Sequence, residues 1–477
     1  MNRPRRIYLL SPQDLSPETI AVAFAKTSRS PKPFDEIASE LSDDRAARFH
    51  EKWVVGYGHS SVAEHAVLHI AIENISRLAI ETIEGNRLAS YTEKSTRYQQ
   101  WEGDAFFVPE EIRESHFRDE YVETCHGLFQ AYQLMMPAIK NWLRQNLEQD
   151  EAESEKSFQR RIQSEAADVC RFLLPAASLA NVGVTINARS LEYAICKMLS
   201  TPLSEVQSIG EHLREVGQRE APTLIKYADC NEYLIGVREK MRKVQPIQSA
   251  HPHMMDLSLI DWDRNGQEKI LAGVLFRFCD LDGFQSVLDY VKNLSSTEQR
   301  QLADDIMEDR SRFDQPLREF EYPAMTFESV MDQGAYFEFK RHRMMTQTVG
   351  PLTVDLGYAI PETIVQAGCL EVYQKAMVKT VELFDKIAAW NPDVASYIVP
   401  NGFNRRVLFS LNLREAFHFC RLRAANNAHF SIRRIALQMA EKIHEIYPLF
   451  ASYLDIPNDQ TSQDISDRYF SELNSGV

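Results

Sequence analysis

The 477-residue chain lacks the short glycine signatures that mark the commonest phosphate cradles. It has no Gly-x-Gly-x-x-Gly run and no Walker loop, which excludes the usual dinucleotide and nucleoside-triphosphate turns. No Ser-His-Asp or Cys-His arrangement stands out either. The seven cysteines, at 125, 170, 196, 230, 279, 369 and 420, are odd in number and never spaced Cys-x-x-Cys. Neither a disulfide framework nor a thiolate zinc site is indicated, no metal is expected, and a reducing compartment suits them. Long apolar runs are missing too. The start, "MNRPRRIYLLSPQDL", holds only four apolar residues in a row, far short of a signal-peptide core or a membrane span, so a soluble cytoplasmic protein is expected. Positive charge is also short. With 53 Lys and Arg against 68 Asp and Glu, the net charge of -15 disfavours binding to nucleic acid, which depends on neutralising phosphates. Any anionic ligand must therefore be held by a local arginine cluster.

What is present is repetition, on a length that predicts two or three domains. In "GHSSVAEHAVLHIAIENISRLAIETIEGNRLASY", Leu68, Ile70 and Ile72 alternate with Val67, His69 and Ala71, predicting a strand and then a helix before Arg87. "EFEYPAMTFESVMDQGAYFEFKRHRMM" repeats the order, with alternation around Met325 and Phe327 and a helical approach to a basic cluster. A second block repeats as well. Pro175 precedes Asn187-Ala-Arg189, and Pro400 precedes Asn412-Leu-Arg414, at the same interval. Each is followed by an apolar stripe at helical spacing, Val206, Ile209, Leu213 and Val216 in one and Ile432, Ile435, Met439, Ile443 and Ile446 in the other, ending before Pro222 and Pro448. The seam falls in "RKVQPIQSAHPHMMD", whose His251 and His253 read as solvated linker residues. The expected division is a first copy at 1–240, a linker at 241–258 and a second copy at 259–477. The acidic run 148–156 reads as a solvated connection between helices. Residues 260–315 lack a clear match to the early N-terminal segment in polar detail.

The chemistry available is arginine with short hydroxyls. In "SYTEKSTRY", Ser95, Thr96 and Arg97 offer a hydroxyl, backbone N–H groups and a forked guanidinium, the equipment for a phosphate. Taken alone, the run reads first as a solvated helix end. Set beside Arg341-His342-Arg343, however, the blocks resemble the flavin-dependent thymidylate synthases, whose signature is Arg-His-Arg, seven residues, then Ser, often continuing as Ser-x-Arg-Tyr. The resemblance covers both halves, as a tandem fusion of two diverged copies. The triplet survives in the second copy, and "RLASYTEKSTRY" keeps the Ser-x-Arg-Tyr in the first, Ser95 lying eight positions after Arg87. Departures complement one another. Gly85-Asn86-Arg87 and Lys197-Met198 break the pattern in the first copy, and Pro351, Thr353, Val354 and Ser396 break it in the second, where Leu422-Arg423 is intact.

The resemblance implies an α+β fold in two homologous domains, each a mixed or antiparallel sheet with long helices, forming a pseudo-tetramer as a homodimer. It implies one-carbon transfer from methylene-tetrahydrofolate to dUMP, with FAD as cofactor and NADPH as its reductant. Arg423 and Arg341 would be catalytic. Ser95, Thr96, Arg97 and Arg171 would hold the phosphate, with Glu338, Arg341 and Arg423 at the uracil. Ser28, His59, Ser61 and Glu93 in the first copy, and Arg341, His342, Arg343, Asn412, Arg414 and His418 in the second, match flavin positions. Glu338 stands where the family usually has Gln, and Asn427 and His429 stand where family histidines lie. A hydroxymethylating relative, or a non-catalytic nucleotide-binding scaffold, therefore stays open.

Overall fold

The computed structural model describes residues 6–28, 30–41, 43–51, 60–97, 101, 103–244, 257–279, 283–311, 313–457 and 459–471. Most of the expected linker, with His251 and His253, lies outside them, as does His59. The architecture is α+β with two antiparallel sheets. Two compact units are present, one formed by Met1–Ser95, Ala105–Asp119 and Ala177–Gln248, the other by Thr96–Asp104, Glu120–Ala176 and Ser249–Val477. Compactness thus divides the chain differently from the sequence repeat, because residues 120–176 of the first copy belong to the second unit.

In the first unit, β1 (Val67–Ser76), β2 (Ala89–Glu93) and β3 (Leu179–Asn187) pair antiparallel in the order β1-β3-β2. Alternation holds along β1, with Leu68 buried and Val67, His69 and Ala71 exposed. The register slips between Ile72 and Ile75, where Asn74 takes a left-handed φ of 56° and donates its N–H to Asn181 Oδ1 at 2.9 Å; asparagine tolerates that conformation. The helix Arg77–Glu84 starts at Ser76, whose Oγ accepts from Ala79 N. It ends at Gly85. The polar run that follows is a strand rather than a helix end: β2 pairs with β3 from Ala89↔Ile186 to Glu93↔Val182. A partner almost a hundred residues away overrode local polarity. The stripe on the helix Ser204–Glu220 holds through Leu213, after which Gly217 rather than Val216 faces inward and Val216 is exposed.

The second unit carries β4 (Leu257–Trp262), β5 (Ala324–Asp332), β6 (Thr346–Val349) and β7 (Asn404–Asn412), all antiparallel in the order β4-β5-β7-β6. Removing β4 leaves the order of the first sheet. The added strand is followed by the helices Gly266–Phe278, Phe284–Asn293 and Ser296–Met307, in the stretch whose polar detail lacks a clear match early in the first copy. On this sheet packs the short helix Gln333–Phe339, buried at every residue and capped by Asp332, whose Oδ1 accepts from Ala335 N at 2.8 Å. Phe339 meets Phe409 edge-on at 4.7 Å, and Phe409 stacks on Phe327 at 5.6 Å. Fully burying such a side chain contributes about 1.5–3 kcal/mol. These rings fix the helix that carries Glu338 and delivers Arg341-His342-Arg343 into the turn before β6. The acidic run 148–156 is the connection expected, linking the helices Arg118–Asn146 and Glu155–Cys170.

Candidate functional site

The second unit gathers arginines from both sequence repeats. Arg97, in the turn after β2, forks onto Asp168: Nε donates to Oδ1 and NH2 to Oδ2, each at 2.8 Å. Its NH1 donates to the carbonyl of Asn427 at 3.1 Å. Asp168 lies near the end of the helix Glu155–Cys170 and is buried. Burial pushes its carboxyl above the ordinary range, and the Arg97 hydrogen bonds pull against that shift. Arg171 follows three residues later, one turn along, at the head of the 3-10 turn Arg171–Leu173. Its NH2 lies 3.4 Å from both Glu338 Oε1 and the Gly334 carbonyl. Its buried Nε has no hydrogen-bond partner among the described residues. A buried guanidinium with long contacts and an unused donor is chemically suited to an oxyanion.

Glu338 joins the two repeats. While Oε1 faces Arg171, Oε2 accepts from Arg423 NH1 at 3.0 Å. Arg423 is the last residue of the helix Leu413–Arg423, and its Nε donates to His342 Nε2 at 2.9 Å. Burial lowers the Arg423 pKa, Glu338 opposes this, and the charges of Arg341 and Arg97 add to the lowering. These mutual effects place the guanidiniums in one field. His342 is buried, and that burial, reinforced by Arg423 and Arg341, drops its pKa to about 3; it is neutral at physiological pH. Beside Arg97 and Asp168 opens a cavity of about 480 Å³, a size within the range of small-ligand sites. Arg161, Asn427, Phe430 and Arg433 also line it.

Two other expected residues are engaged elsewhere. Asn412 caps its helix, accepting from Glu415 N at 2.9 Å. Arg414 donates to Glu321 at 2.7 Å and to the Pro316 carbonyl at 2.9 Å. Arg341 is exposed and Arg343 half-buried on the turn before β6, and His418 stands 5.6 Å from His342, ring to ring. Thr96 is buried in the second unit, whereas Ser95 belongs to the first. Within the first unit, Ser28 and Ser61 share a cleft of about 790 Å³ with Lys26, Lys32, Glu64 and His65. Glu93 is not on it. Its carboxylate meets Arg77 NH2 at 3.1 Å with both side chains 2% exposed, a buried ion pair. His59 lies outside the described residues.

Sequence reading missed Asp168 and Glu415. Asp168 had one usable signal, its place one helical turn before Arg171; Glu415 had none. His429, which stands where family histidines lie, is the cap of the helix Phe430–Ile446. Its Nδ1 accepts from Ser431 N at 3.2 Å and its Nε2–H donates to the Asp168 carbonyl at 3.1 Å.

The family model described as thymidylate synthase complementing protein matches residues 10–223 and again residues 260–449. A UPF0159 protein of Chlamydia muridarum is 28% identical over 433 residues, covering 87% of this chain and 82% of its own length. Another from Thermoplasma acidophilum is 27% identical and covers 87% and 89%. A flavin-dependent thymidylate synthase of Clostridium tetani is 25% identical over 216 residues, covering 45% of this chain but 82% of its own length. The crystal structure of the UMP/dUMP methylase PolB from Streptomyces cacaoi bound with 5-Br dUMP aligns with a TM-score of 0.32 and 14% identity, covering 41% of this chain and 93% of that one. Matched twice along most of its length, the chain belongs to the thymidylate synthase complementing protein family, as a tandem fusion of two copies.

Proposed function

We propose that this protein transfers a one-carbon unit from methylene-tetrahydrofolate to dUMP at a site shared by its two sequence repeats. The observation that carries the reading is the arginine cluster. Arg97 and Arg171 come from one repeat and Arg341 and Arg423 from the other, in a chain whose overall charge is -15. The second copy's counterpart of Arg171 is Ser396, whose hydroxyl donates to the Leu352 carbonyl at 2.9 Å. That contact satisfies the position without a cation, in keeping with one complete site per chain.

Arg171, through the Nε that has no partner among the described residues, would take a phosphate oxygen, with Arg97 and the Thr96 N–H beside it. Arg423, held by Glu338 and His342, keeps its NH2 for a ring carbonyl and would stabilise negative charge as it builds on the pyrimidine. A preorganised donor of this kind is worth about 2.7–4 kcal/mol of barrier. Neutral His342 adds no charge of its own, so Arg423, Glu338 and Arg341 set the local field. FAD, when bound, supplies the hydride and is reduced by NADPH. The cleft of Ser28 and Ser61 has Lys26 on its wall, while Lys32 is ion-paired with Glu40 on the same cleft, so the serines and Lys26 would meet one end of a dinucleotide. Two chains would pair to rebuild a four-copy body, a homodimer working in the cytoplasm.

The test is incubation with dUMP, methylene-tetrahydrofolate, FAD and NADPH, with the nucleotide product identified by mass. Replacement of hydrogen by methyl supports thymidylate synthesis, and replacement by hydroxymethyl supports the related modification, which the acid Glu338 beside Arg423 favours as a second reading. A colourless protein that takes up no FAD and returns dUMP unchanged refutes both and leaves the scaffold.

A further inference from the structure

One carboxylate behind the cluster has no role in the reading above. Glu415 sits in the first turn of the helix Leu413–Arg423, with its backbone N–H tied to the Asn412 cap. Its Oε1 lies 3.3 Å from His342 Nδ1. The opposite ring nitrogen of His342 faces Arg423 Nε at 2.9 Å. A guanidinium has donors and no acceptor, so His342 Nε2 must accept. The single proton of the neutral ring is then on Nδ1, where it donates to Glu415. The tautomer follows from the neighbours at both ends of the ring. Arg423 is gripped at two points, Nε by the imidazole and NH1 by Glu338, and the first grip exists only while the proton stays on Nδ1.

We propose that Glu415 is a positioning residue: by holding the His342 proton on Nδ1 it aims the Arg423 guanidinium into the site. This rests on the reading of Arg423 as the group that faces the pyrimidine. The competing role is local. The same carboxylate faces His418, three residues along its helix, and an acid in a first turn favours the helix dipole whatever lies beyond it.

Two variants of the full chain separate these roles. Glu415→Gln keeps an acceptor oxygen for Nδ1–H and removes the charge; Glu415→Leu removes the acceptor. Two-bond nitrogen–proton NMR of histidine labelled with nitrogen-15, with His342 assigned by its loss in His342→Asn, reads the tautomer directly. The wild type and Glu415→Gln should show the Nδ1–H form, and Glu415→Leu should show proton density moved to Nε2. In steady-state turnover of dUMP, Glu415→Leu should lose kcat by about tenfold or more, since a displacement of about 1 Å can cost about 100-fold. KM should change little, because the phosphate contacts are untouched, and Glu415→Gln should restore kcat. A Glu415→Leu protein that keeps the Nδ1–H form, or a Glu415→Gln protein as impaired as Glu415→Leu, overturns the proposal. If no nucleotide is turned over at all, the reading of function has failed, and the tautomer measurement still decides what Glu415 does.

Discussion

Replacing Glu338 with alanine should be among the most damaging single changes in the second unit. The carboxylate lies 3.4 Å from Arg171 and 3.0 Å from Arg423, with side chains only 7%, 4% and 16% exposed respectively. At an effective dielectric constant of about 20, each contact is a gross attraction of about 5 kcal/mol. Much of that repays the desolvation of three charged groups. The net cost of deleting the shared carboxylate, which leaves two guanidiniums uncompensated in a poorly solvated site, is about 3–5 kcal/mol. Glu338→Gln keeps an acceptor oxygen and should cost about 1.5–3 kcal/mol, the worth of a hydrogen bond to a charged group. Urea unfolding followed by circular dichroism measures both. Inorganic phosphate supplies an additional signature: an anion that binds the bared guanidiniums stabilises by mass action, so it should raise the Glu338→Ala midpoint more than that of the wild type. A Glu338→Ala protein within about 1 kcal/mol of the wild type that is indifferent to phosphate would refute the view that this carboxylate holds the cluster together.

The acid side of the stability profile should carry the mark of His342. Its folded pKa of about 3 lies below its ordinary 6.5, so between those values the unfolded chain binds a proton that the folded one refuses. Stability then falls as pH drops through that window, by about 1.4 kcal/mol per pH unit for this one group. His342→Asn should show a slope shallower by that amount in urea unfolding at pH 4–6; an unchanged slope would place the proton elsewhere. Arg423→Ala or Arg341→Ala should abolish turnover of dUMP, whereas Lys197→Ala, at the degenerate counterpart, should retain it and lose only the contact of its ammonium with Tyr193 at 5.0 Å, worth about 0.5–1 kcal/mol. Equal loss in both classes would count against division of labour between the copies. Calorimetric titration should find one tight dUMP per chain, and two would sink the single composite site.

The sequence by itself carried the repeat. Strand β1 and the helix after it, and β5 and the helix that delivers Arg341-His342-Arg343, rest on local periodicity, which a short window contains. The motif residues of the family were legible for the same reason. What only the tertiary structure decided is who holds each arginine. Arg97 meets an aspartate 71 residues away and a carbonyl 330 residues away, and Arg423 meets a glutamate 85 positions upstream. A guanidinium written in sequence looks the same whether it is solvated, ion-paired or waiting for an anion. Arg414, matched to the flavin by pattern, is occupied by Glu321, while Arg171 keeps a buried donor without a partner among the described residues. Likewise β2 became a strand only because β3, far along the chain, offered it an edge. Pairing and desolvation depend on distances that folding creates, and no spacing in the chain encodes them directly.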